Sequence, residues 1–247
     1  MAKMFGRDYL AGVFGRIGSG LEAKVSAFVL GGGAMCFRNQ KTGTKDIDLV
    51  FRNGTEARRF VKCALKERFA KPSSLGNAYR MMKAFDILED ADGFRLDIFS
   101  KAVCGALRLS RDMTARAERF GTFGKLEIFL VSNEDVVLFK GITERERDAD
   151  DIAAVIRASK IDWSIILQEC IAQSKATPWY GLLYNKLVDI EEKHGITVPI
   201  AKEVLKLDRA ALVKNAYETR IKGGMRREEA MADLRKKGFK KKELEDL

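Results

Sequence analysis

Proline is scarce in this chain, with three in 247 residues, and histidine occurs once. So few prolines, set among alternating charges, point to a largely helical or α/β chain rather than a loop-rich one. The four cysteines, Cys36, Cys63, Cys104 and Cys170, stand singly with no CxxC pair. That pattern reads as reduced, mostly buried thiols in a cytoplasmic protein. No apolar run approaches the ~20 residues that a membrane span needs. The opening MAKMFGRDYLAGVFGRIGSG is interrupted by Arg7, Asp8 and Arg16, so it does not read as a signal peptide. The lone His194 adjoins Gly195 and reads as a helix C-terminal cap rather than a catalytic base. Neither the P-loop nor the dinucleotide-binding spacing of glycines is present, and there is no internal repeat or low-complexity tract.

Positive charge is in surplus, at +10 with a pI near 9.4. A basic balance points toward polyanion partners such as nucleic acid or nucleotide phosphates. The length suits one large domain or two modest ones. Hydrophobic periodicity divides the chain into an α/β part, residues 1–158, and an all-helical part, residues 159–247, with a basic tail. Leu10, Val13, Phe14 and Ile17 form one face of an opening helix. GRIGSG, residues 15–20, reads as a loop. Strands are expected over Val25–Leu30, Asp46–Phe51 and Leu126–Val131, with a hairpin from Met82–Leu88 to Phe94–Ser100 through a turn at Asp90–Gly93. Thr55 is the expected cap of a helix carrying Ala57, Phe60, Val61, Ala64, Leu65 and Phe69. Ser132 with Asp135, and Thr143 with Glu146, fit capping boxes. Beyond Asp162 only helices are expected, with starts near Pro178, Pro199 and Asp208, and a hinge at Gly223-Gly224.

Chemistry concentrates in VLGGGAMCFRNQKTGTKDIDLVF, residues 29–51. An apolar strand empties into Gly31, Gly32 and Gly33. Such a turn lets backbone N–H groups approach phosphate oxygens, with a helix N-terminus behind them. Asp46 and Asp48 follow at i, i+2, so on a strand they share one face. Two carboxylates one pleat apart repel unless a cation screens them, and oxygen-only ligands suit Mg²⁺. A third carboxylate comes from RLDIF, where Asp97 and Arg95 alternate with apolar neighbours. A charge inside a strand is costly unless it is used. Asp86 competes for that role, and Asp90 and Asp92 read as turn residues.

GGGAM, Arg38, TKDIDLVF and RLDIF, in that order, resemble the signature of the DNA polymerase β-like nucleotidyltransferase superfamily. FKGITERERDADDI, residues 139–152, is similar to a segment of the AbiEii-like nucleotidyltransferases, which include toxins of the MenT type. Lys140, Arg145, Arg147, Asp148 and Asp151 stand at the matching places. The resemblance spans about residues 25–158. It departs where Gly-Gly-Ala replaces the Gly-Ser of many members, which removes a hydroxyl for the triphosphate and leaves that task to backbone N–H groups.

The resemblance implies a nucleotidyltransferase fold, a mixed sheet flanked by helices, and transfer of a nucleoside monophosphate from an NTP to a hydroxyl. It implies Asp46, Asp48 and Asp97 as catalytic, metal-binding carboxylates for two Mg²⁺ ions. Gly32, Gly33, Arg38, Lys140, Asp148 and Asp151 are the expected NTP-binding set. Lys140 would reach the β- and γ-phosphates. Arg38 would touch phosphates or pair with Asp46. Asp148 and Asp151 would orient Lys140 or Arg38, or sit solvated in the first helical turns. Arg147 belongs to a charge run of the kind that is usually a wet helix surface. Expected partners are the NTP, an acceptor such as tRNA or a protein, and a cognate antitoxin if the protein is a toxin. Two further readings stay open: a catalytically silent nucleotide- or nucleic-acid-binding module, and an antibiotic-modifying enzyme. Trp163, Trp179 and Tyr180 read as packing residues or as a platform for a base. The basic tail, Met225–Leu247, reads either as a solvated helical pair or as a contact for a phosphate backbone.

Overall fold

The computed structural model describes residues 3–74 and 83–244. The chain divides into two compact units, Met1–Lys140 with Asp150–Asp162, and Gly141–Ala149 with Trp163–Leu247.

The first unit is built on a six-stranded mixed sheet. In chain order its elements are α1 (Arg7–Gly20), β1 (Val25–Val29), α2 (Gly31–Phe37), β2 (Asp46–Phe51), α3 (Gly54–Lys66), β3 (Asp86–Glu89), β4 (Arg95–Ser100), α4 (Arg111–Arg116), β5 (Glu118–Phe123), β6 (Leu126–Leu130) and α5 (Asn133–Gly141). α6 (Arg147–Ala158) follows. The strand order is β3-β4-β2-β1-β6-β5. β1 pairs antiparallel with β2 and parallel with β6, and β2 pairs parallel with β4. β1 and β2 are central, which is why VSAFV and the end of DIDLVF are almost wholly apolar: both faces of such strands are covered. α3 lies against β1, β2 and β4. Phe14, Phe28, Phe51, Phe60, Phe94 and Phe99 are fully buried and dominate this core. Phe28 stacks on Phe129 and Phe51 packs against Phe60, with ring centroids 5.0 and 5.2 Å apart.

The second unit is helical: α7 (Trp163–Gln173), α8 (Tyr180–His194), α9 (Ala201–Lys222), α10 (Arg227–Lys236) and a closing 3₁₀ turn (Lys241–Leu244). α8 ends as expected at Gly195, in the left-handed conformation with φ 65°. Val213, Leu234 and Leu244 form the small core that joins α9, α10 and the last turn.

Several expectations need correction. GRIGSG is not a loop but the last two turns of α1. Its glycines reflect a close approach: a Cβ on Gly18 would lie 1.8 Å from the Phe123 carbonyl oxygen, and Lys125 N–H donates to the Gly18 carbonyl at 3.0 Å. Asp208 starts nothing, because α9 runs through it. Near the start of α6 the Thr143 hydroxyl donates to Asp148 Oδ2 at 2.6 Å. α4 and β5 carried no periodic signal, since β5 is a polar edge strand with a register shift between Arg119 and Gly121. The hairpin forms with Asp90 Oδ1 accepting from the Asp92 and Phe94 N–H groups, while Met82 lies outside the described residues.

The cap of α3 is Asn53, not Thr55. Asn53 Oδ1 accepts from the Thr55 and Glu56 N–H groups at 3.0 and 2.9 Å. Asn53→Ala should therefore cost about 1 kcal/mol in urea unfolding, and Thr55→Ala distinctly less. The reverse order would overturn the assignment.

Candidate active site

Strand register assembles the site. β2 and β4 run parallel with Asp46 opposite Arg95 and Asp48 opposite Asp97. Paired residues on neighbouring strands point to the same face, so these four charged side chains share one surface, while Ile47, Leu49, Leu96 and Ile98 share the other. Asp86 pairs with Ile98, which places this competing carboxylate on the opposite face, where it meets Lys71 at 3.2 Å.

Asp97 is 1 % exposed. A carboxylate so deep needs a compensating cation, and Arg95 supplies it. Arg95 Nε and Nη2 donate to Asp97 Oδ1 and Oδ2 at 2.7 and 3.0 Å, and Nη2 also reaches Asp46 Oδ2 at 2.5 Å. The planar guanidinium suits this fork, which a lysine could not reproduce. Asp46 therefore pairs with Arg95 and not with Arg38.

The glycine turn sits over these carboxylates for a topological reason. β1 ends with Val29 opposite Leu49, and Leu30 N–H donates to the Asp48 carbonyl at 3.0 Å. The next residue, Gly31, must therefore pass the Asp48 side chain. Its φ is +50°, and a Cβ there would lie 2.9 Å from Asp48 Oδ2. A Cβ on Gly32 would press Thr44 Oγ1 at 2.8 Å, and one on Gly33 would overlap Val29 and Ile47. Gly31 thus borders the carboxylates, Gly32 faces Thr44, and Gly33 gives close packing. The first N–H groups of α2 have no carbonyl one turn earlier to bond, and its N-cap, Leu30, offers no side-chain acceptor.

A second polar group lies along α2. Asp151 accepts from Lys140 Nζ at 2.7 Å and from Lys41 Nζ at 2.8 and 3.0 Å. Burial pushes the Asp151 carboxyl up, but the two ammonium groups more than offset this, and it is held below the usual carboxylate range. Cys36, one helical turn beyond Gly32, feels the charges of both Lys41 and Asp151, though burial dominates and raises its thiol to about 11. Lys41 was not anticipated: it stands in a polar turn with no periodic or motif signal, and only the fold carries it to Asp151. A cavity of ≈ 230 Å³ opens beside it, lined by Arg7, Cys36, Asn39, Gln40, Lys41 and Thr42.

Arg38 is largely buried, with a 3.4 Å contact from Nη2 to Glu118. Burial lowers its pKa and Glu118 opposes the shift. Its Nη1, like Gln40 Oε1, is buried without a hydrogen-bond partner among the described residues. Asp148 is buried and accepts from Thr143 Oγ1 at 2.6 Å. Neither Asp148 nor Asp151 is the solvated helix-surface residue that the charge run suggested, whereas Arg147 is exposed.

The profile of one protein family, described as nucleotidyltransferase of unknown function (DUF6036), matches residues 19–186. The chain belongs to this family. No curated protein matches it. The matched span contains both acidic strands, the glycine turn and the Lys140–Asp151 pair.

Whether this nucleotidyltransferase-family site suits a divalent cation turns on the carboxylates. Their chemistry fits: three oxygen donors with no nitrogen or sulfur is a hard-cation set. As folded, no three Asp, Glu, His or Cys side chains among the described residues converge tightly enough to hold an ion. The Arg95 guanidinium bridges Asp46 and Asp97 and holds the positive position between them.

Removing Arg95 takes away the guanidinium that forks onto the buried Asp97 carboxylate, so Arg95→Ala should cost about 3–5 kcal/mol in denaturant unfolding. Millimolar Mg²⁺ should raise the melting temperature of this variant more than that of the wild type; an equal shift in both would show that the vacated carboxylates do not take the ion.

The Asp151 linkage has a definite sign. A depressed carboxyl pKa stabilises the fold above the unfolded value of 3.8, and the contribution fades as pH falls through the lower folded value. Asp151→Asn should thus be less stable than wild type at pH 6, with the gap closing below about pH 4. A gap independent of pH would contradict the ion-pair account.

Proposed function

We propose that this member of the nucleotidyltransferase family transfers a nucleoside monophosphate from an NTP to a hydroxyl acceptor with release of pyrophosphate. One observation carries the reading: Asp46, Asp48 and Asp97 share a sheet face directly beneath the Gly31 turn. Asp46, Asp48 and Asp97 would hold two Mg²⁺ ions, which when bound neutralise phosphate charge and lower the pKa of the attacking hydroxyl. The remaining work falls to the chain's own groups. Arg95 forks onto Asp97 and aims it along the shared face. Backbone N–H groups of Gly32 and Gly33 at the start of α2 receive phosphate oxygens in place of the missing hydroxyl. Lys140, fixed by Asp151, contacts the outer phosphates, and Arg38 supplies further positive charge toward them. Asp148, which accepts from the Thr143 hydroxyl, orders the start of α6.

The acceptor we favour is tRNA or a protein hydroxyl, in keeping with a cytoplasmic toxin held in check by a cognate antitoxin. This subtype rests on the resemblance of residues 139–152. A second reading, a catalytically silent nucleotide-binding module, draws on the Arg95 bridge, which closes the carboxylate set as folded. An antibiotic-modifying enzyme would share the chemistry and differ only in acceptor.

Incubation with Mg²⁺, cell extract and NTPs labelled at the α-phosphate should label a macromolecule, while label at the γ-phosphate should not transfer. Asp48→Ala should abolish labelling with unchanged circular dichroism. Transfer of the γ-label would replace nucleotidyl transfer by phosphoryl transfer, and NTP binding without turnover across RNA, protein and small-molecule acceptors would establish the silent module.

A further inference from the structure

We propose that the end of the helical unit carries a binding cleft for single-stranded nucleic acid, formed where the chain doubles back from α10 against α9. Residues 201–247 hold 14 Lys and Arg against 9 Asp and Glu, which is half of the chain's positive surplus in a fifth of its length. The fold gives this surplus a shape. α10 ends at Lys236, and the chain turns so that the Gly238 N–H donates to the Arg235 carbonyl and the Phe239 N–H to the Leu234 carbonyl. Phe239 is thereby laid, partly buried, against the core of Val213, Leu234 and Leu244. The Lys240 N–H then donates to Glu243 Oε2 at 2.7 Å and opens the final turn.

Between this reversal and α9 lies a cleft of ≈ 330 Å³, lined by Arg209, Leu212, Lys237, Phe239, Lys240 and Glu243. Its apolar part is Phe239 with Leu212, a leucine left 56 % exposed in mid-helix. Its rim has three cations and one carboxylate, and that carboxylate is already engaged by the Lys240 N–H. Arg235, Lys236, Lys241 and Lys242 extend the positive surface beside it, all exposed. Of these cations only Lys237 has an ion-pair partner among the described residues, Asp233 at 3.9 Å, and Arg220 already holds that carboxylate at 2.7 Å.

A nucleotide unit matches this combination. Its base offers a flat apolar face to Phe239 and Leu212, and its flanking phosphates meet Arg209, Lys237 and Lys240. The volume is at the small end for ligand sites, about right for one nucleotide. An acidic peptide would satisfy the cations and leave the apolar floor unused. A duplex would offer phosphates with its bases stacked away. This binding needs neither NTP nor the acidic strands, so it stands or falls apart from the proposed transfer reaction.

The test is fluorescence anisotropy of a labelled single-stranded oligouridine RNA with the full-length protein, without Mg²⁺ or NTP. Affinity should fall about tenfold or more between 50 and 200 mM KCl, as expected for roughly three displaced counterions. The triple variant Arg209→Glu, Lys237→Glu, Lys240→Glu should bind at least tenfold more weakly with an unchanged melting temperature. Leu212→Asp, at an open position, should weaken binding severalfold, and Asp48→Ala should bind as wild type. Wild-type affinity in the triple variant would overturn the cleft. Equal competition by polyglutamate would reassign it to an acidic protein partner, and equal competition by duplex RNA would remove the base contact.

Discussion

A carboxylate almost wholly removed from water has to be matched by positive charge, and Asp97 is the point at which this fold meets that demand. The arginine that answers it stands two residues earlier on the same strand, opposite Asp46. One guanidinium therefore serves two carboxylates on adjacent strands, and the parallel register of β2 with β4 decides which two. A shift of that register by one residue would turn Asp97 into the apolar side of the sheet and separate it from Asp48. The charge pattern and the sheet alignment are thus one constraint, and the glycine turn above them depends on it.

That turn shows how backbone geometry and side-chain chemistry share the same residues. β1 runs antiparallel to β2, so its end meets the start of DIDLVF. The chain must then leave the sheet directly past a carboxylate, and only a residue without a Cβ passes there. The same helix leads, one turn later, to Cys36 and the group in which Asp151 joins Lys140 and Lys41. Acidic residues at one end of α2 and paired ammonium groups along it form a polarised track. In the proposed reading, the acids would hold the cation and the ammonium groups would face the outer phosphates.

The helical unit follows a different logic. Its last core is small, three fully buried apolar residues with four partly buried ones around them, and its outer surface is crowded with lysine and arginine. Little apolar burial is available to fix such a segment, so helix ends and capping bonds carry much of its definition, as at Gly195, Glu229 and Glu243.

The sequence by itself determined the carboxylate pair at Asp46 and Asp48, the glycine turn before it, Asp97 and its competitor Asp86 as the candidates for a third acid, and an α/β part followed by helices. These were legible because they are local: period-two alternation, a glycine cluster and a charge placed inside an apolar strand each leave a mark within a few residues. Tertiary structure alone decided that Asp86 faces away from Asp97, that Arg95 rather than Arg38 holds Asp46, and that Lys41 joins Lys140 on Asp151. It also made GRIGSG a helix, since the β5–β6 turn that packs on Gly18 lies a hundred residues away in the chain. The physical reason is the same throughout: strand register and long-range contact choose which charges meet, and no local spacing encodes that choice.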